Sequence, residues 1–89
     1  MELYIHYTEL PHGLPLTEVV GQLNETLDDT GAVSGGLNKE KGGRIDLELE
    51  DERVNPKYAQ MAVKAYLQRA GFARDTVIEI GGMEIGLYE

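Results

Sequence analysis

Apolar and polar residues alternate with a period of two near the start, in the middle and at the end of the chain, and switch to a helical period between. In residues 2–8, Leu3, Ile5 and Tyr7 fall on one side and Glu2, Tyr4 and His6 on the other, which predicts a half-buried strand. Pro11, Gly13 and Pro15 then punctuate a loop. Leu16, Val19, Val20, Leu23 and Leu27 form one stripe, with Glu18, Gln22, Asn24, Glu25 and Asp28 facing away, so a helix is expected over 16–29. Pro15 suits its first turn, and Thr30-Gly31 supplies its stop. Residues 32–37 read as a faintly patterned strand and 38–43 as its turn. The run Arg44-Ile45-Asp46-Leu47-Glu48-Leu49-Glu50 predicts a strand over 43–50 that buries Ile45, Leu47 and Leu49.

Asn55-Pro56 opens a second helix, a side-chain cap followed by proline at the first helical position. Its stripe is Ala59, Ala62, Val63, Tyr66, Leu67 and Ala70, and Gly71 ends it. Residues 76–80 and 83–88 alternate around Gly81-Gly82, a two-residue link suited to a type I′ hairpin turn. The order is β-α-β-β-α-β plus a terminal strand. Two helices with one apolar stripe each can share one face of an antiparallel sheet, so the expected fold is α+β, a ferredoxin-like βαββαβ sandwich with an extra C-terminal hairpin strand. One domain over residues 1–89 accommodates it.

That topology leaves the other sheet face uncovered. It would carry Glu2, Tyr4, His6, Arg44, Asp46, Glu48, Glu50, Val77, Glu79, Glu84 and Tyr88. Six of these eleven are acidic, which turns the middle strand from a packing element into a candidate surface. Composition sharpens this. Sixteen acidic against eight basic residues give a net charge of −8, a field that repels nucleic acid and anionic membrane and steers basic proteins inward. There is no cysteine, hence no disulfide framework and no thiolate chemistry. No run approaches the roughly 20 apolar residues of a membrane span, and Met1-Glu2-Leu3-Tyr4 has no basic lead-in, so a cytoplasmic location is expected.

Catalytic patterns are sparse. Ser34, the only serine, lacks a G-x-S-x-G elbow, and His12 sits in the proline loop. His6 could approach Asp46 and Glu48 across strands, but no H-E-x-x-H spacing accompanies it, and an exposed ion pair is the expected role. The glycines at 31–36 and 42–43 match neither phosphate-loop pattern and open no helix; they read as a helix end, a curved edge strand and a turn. No metal or cofactor is expected.

The glycine-rich turn, Ile45-Asp46-Leu47-Glu48-Leu49, the helix end Leu67-Gln68-Arg69-Ala70-Gly71 and Thr76-Val77-Ile78-Glu79-Ile80 together resemble small uncharacterised bacterial ferredoxin-like domains. In size, acidity and lack of cysteine the chain also resembles bacterial immunity and other inhibitor proteins, which implies a protein partner rather than a substrate. The expected function is therefore non-enzymatic. Tyr4, His6, Asp46, Glu48, Glu50 and Glu79 would engage a basic protein such as a toxin or nuclease. The alternative expectation is a module that forms a homodimer through an edge strand, Met83 to Tyr88.

Overall fold

The computed structural model describes residues 2–28, 31–39, 42–49 and 56–88. The elements are β1 (Glu2–Tyr7), α1 (Leu16–Leu27), β2 (Gly31–Lys39), β3 (Gly42–Leu49), α2 (Pro56–Ala70), β4 (Val77–Ile80) and β5 (Met83–Gly86). The strands form one five-stranded sheet in the order β2-β3-β1-β4-β5, every neighbouring pair antiparallel. The α+β class with two helices and an extra terminal strand is as expected, and the strand order is compatible with a ferredoxin-like arrangement.

Register explains the core. Leu3 lies opposite Leu47 on one side and Ile80 on the other, and Ile5 lies opposite Ile45 and Ile78. These six, all buried, make the floor on which Val19, Leu23 and Leu27 of α1 and Ala59, Val63, Tyr66 and Leu67 of α2 pack. Each leucine, isoleucine or valine among them contributes about 1.5–3 kcal/mol by leaving water. The alternate residues of β1 and β3 stay half-exposed or exposed, so both helices cover one face only.

The element boundaries differ from expectation where the backbone turns. Helix α1 stops at Leu27 rather than 29: Asp28 has φ 51°, which an α-helix cannot continue, and its N–H still bonds the Asn24 carbonyl. Pro15 is the N-cap rather than a first-turn residue; its carbonyl accepts from Glu18 and Val19 at 3.0 and 3.2 Å. Gly31 begins β2 rather than ending α1. Asn55, the expected cap of α2, lies outside the described residues, as do Thr30 and Glu50. At the other end of α2, Phe72 N–H bonds Leu67 O and Gly71 N–H bonds Gln68 O, with Gly71 at φ 91°. That is a Schellman ending, and its customary C″–C3 apolar positions are the buried Phe72 and Leu67.

Strand β5 lies at a sheet edge but spans only 83–86, not 83–88. Leu87 is fully buried, its carbonyl accepts from Gln68 Nε2 at 2.7 Å, and Tyr88 Oη donates to Phe72 O at 3.2 Å. The C-terminal residues thus bond back to the end of α2 instead of extending the sheet. Tyr88 consequently makes its hydrogen bond there rather than joining the acidic row. The Gly81-Gly82 link behaves as expected, with φ 59° and 80°.

Candidate functional site

The uncovered face is set by the same pleat that builds the core. Glu2, Tyr4 and His6 of β1 lie opposite Glu48, Asp46 and Arg44 of β3, and Tyr4 and His6 lie opposite Glu79 and Val77 of β4. Five of the six expected contact residues, Tyr4, His6, Asp46, Glu48 and Glu79, are therefore brought together on the three central strands. The sixth, Glu50, lies outside the described residues.

Their contacts form a connected layer. Arg44 donates to Asp46 through Nε at 2.6 Å and a second nitrogen at 3.2 Å, a forked pair on one strand. The Arg44 guanidinium also lies 5.4 Å from the centre of the Tyr4 ring, within cation–π range. The Tyr4 hydroxyl donates to Glu2, and the Tyr4 and His6 rings are tilted neighbours 6.5 Å apart. His6 Nε2 meets Glu79 Oε1 at 2.9 Å. His6 thus takes the exposed pairing expected of it, and its partner is Glu79 on β4; Arg44, directly opposite His6 on β3, engages Asp46.

The electrostatics follow from these neighbours. The Tyr4 hydroxyl is held above its ordinary pKa, first by its hydrogen bond to Glu2, then by partial burial and the Glu2 and Asp46 charges. Asp46 likewise raises the pKa of Arg44 through the hydrogen bond and its charge. Among the described residues Glu2, Asp46, Glu48, Glu79 and Glu84 share the face with the Arg44 guanidinium, so carboxylates predominate there. Two of the register pairs, Glu2 with Glu48 and Glu79 with Glu84, set like charges directly opposite each other.

Sequence reasoning placed Arg44 on this face but missed its role as the organiser of Tyr4 and Asp46. The available signal was the Arg44-x-Asp46 spacing, which puts both side chains on one strand face. Ser34 is the extra residue of a β-bulge between Val33 and Gly35, and His12 borders a cleft of about 510 Å³ between the 11–14 loop and the two helices. Among the described residues no group of three His, Asp or Glu side chains is arranged to hold a metal ion, and no helix is long and apolar enough to cross a membrane. Compared with known proteins, the chain matches no family model, no curated protein and no solved structure.

Proposed function

We propose that this chain is a non-enzymatic binding protein with a ferredoxin-like fold. Its uncovered sheet face engages a basic protein partner, a toxin or nuclease of the kind that immunity and inhibitor proteins block. The observation that carries this reading is the pair of like-charge matches on that face, Glu2 with Glu48 and Glu79 with Glu84. Opposed like charges cost a sheet stability, and the cost is recovered when a cationic surface docks over them. The strand order β2-β3-β1-β4-β5 supports the fold assignment.

The internal pairs give the face a defined shape before contact. Arg44 holds Asp46 and lies near the Tyr4 ring, while Glu79 ties His6. A partner's lysine or arginine thus meets fixed acceptors, and Tyr4 offers an amphipathic ring of a type enriched in interfaces. The long-range field of a −8 chain accelerates encounter with such a partner.

The test begins by capturing the basic protein from native extract at low salt, followed by association kinetics with the purified pair. Asp46→Asn with Glu48→Gln is expected to slow association about tenfold and to flatten its salt dependence. Unchanged kinetics in that double variant would sink the proposal.

A further inference from the structure

We propose that the cleft between the two helices binds a free peptide of about three residues by its charged ends, the carboxylate at Arg69 and the ammonium at Glu25. The cleft lies on the helix side of the molecule, away from the acidic sheet face, and the inference does not depend on that face.

The strand pairings fix the direction of each helix. β1 and β2 are both antiparallel to β3, so α1, which joins them, runs back against both. β3 and β4 are both antiparallel to β1, so α2, which joins them, runs along β1. The helices therefore run in opposite directions. They meet in the cleft where Tyr66 Oη donates to Gln22 Oε1 at 2.6 Å. Glu25 follows Gln22 by one helical turn and Arg69 follows Tyr66 by one, each an advance of about 4.5 Å. Because the advances are opposed, the two charges stand on either side of the Tyr66–Gln22 bond, about 9 Å apart along the cleft.

Both side chains are exposed and line the cleft, and neither has an ion-pair partner among the described residues. Arg69 suits the end of α2, but Glu25 sits in the last turn of α1, where a negative charge works against the helix dipole. A ligand that is only an anion is repelled by Glu25 and by the −8 chain. A zwitterion escapes that repulsion and satisfies both ends. An extended chain rises about 3.3–3.6 Å per residue, so three residues match the separation and a single amino acid falls short. The volume of about 510 Å³ suits such a ligand.

The other lining groups fit the same orientation. The Arg69 guanidinium can fork a carboxylate, and His12, in the loop leading into α1 and so at the Arg69 end, adds a ring N–H. Tyr66 occupies Gln22 Oε1, which leaves Gln22 Nε2 to donate to a peptide carbonyl midway. Thr26 donates its hydroxyl proton to Gln22 O at 2.8 Å, and its oxygen can still accept from the ammonium beside Glu25.

Titration of the full chain with trialanine, followed by NMR amide shifts, is expected to give saturable changes at Gln22, Tyr66 and Arg69. N-acetylation or C-amidation of the peptide should each weaken binding about tenfold, and free alanine should bind about tenfold more weakly or worse. Arg69→Gln should lose the preference against the amidated peptide and keep that against the acetylated one. Glu25→Gln should do the reverse, a split that a general loss of structure does not produce. Absence of saturable shifts, capped peptides or alanine binding as well as trialanine, or either variant losing both preferences would overturn the proposal.

Discussion

Thr76 is fully buried, and its hydroxyl has no hydrogen-bond partner among the described residues. An unsatisfied buried polar group costs about 1–3 kcal/mol, and valine keeps the shape without it. Thr76→Val is therefore expected to raise stability by about 1 kcal/mol, read as a higher urea midpoint with an unchanged slope. Gly42 carries a different constraint: its φ is 111°, and a Cβ there would run into the Tyr7 carbonyl. Gly42→Ala should cost about 2–4 kcal/mol in the same assay, since it adds a steric clash to a strained backbone. Tyr7 supplies a pH signature, because burial raises its hydroxyl pKa above the ordinary 10.0. The folded state then holds this proton more tightly than the unfolded state. Its contribution is intact below pH 10 and is lost as pH rises from there through the folded value. The melting temperature should fall above pH 10, and less steeply in Tyr7→Phe.

At the scale of elements, the helices were legible because burial forces a stripe, and the stripe survives without knowing what covers it. Leu23 and Leu67 announce their buried faces by spacing alone. The pairing of the helices was not legible. Tyr66 Oη donates to Gln22 Oε1 at 2.6 Å, tying α2 to α1 across forty-four positions of sequence. Tyr66→Phe should cost about 0.5–1.5 kcal/mol, while Leu67→Ala, which empties a packed site, should cost about 2–5 kcal/mol. Denaturant melts of the two variants side by side check the ranking. Phe72 was equally hidden: it stands in a loop with no periodicity, yet is buried with its ring edge-on to Tyr7 at 6.3 Å.

For the whole molecule, charge is the term that acts over distance. The opposed carboxylates of Glu79 and Glu84 sit in a chain of net charge −8, so screening relieves both local and global repulsion. Added salt should raise the melting temperature of the wild type. Glu84→Gln should stabilise the chain by about 0.2–1 kcal/mol at low salt and by less at high salt, measured by thermal unfolding at two ionic strengths.

The sequence by itself determined the element types, the buried residues of β1, β3 and both helices, and the existence of an acidic sheet face, because period-two and helical patterns are local consequences of one-sided burial. Only the tertiary structure decided that His6 meets Glu79 rather than Asp46, that Arg44 organises Tyr4, and that the chain after Gly86 folds back on α2. Those contacts depend on which strands become neighbours and in what register. A pattern read along one strand carries no record of what lies opposite it.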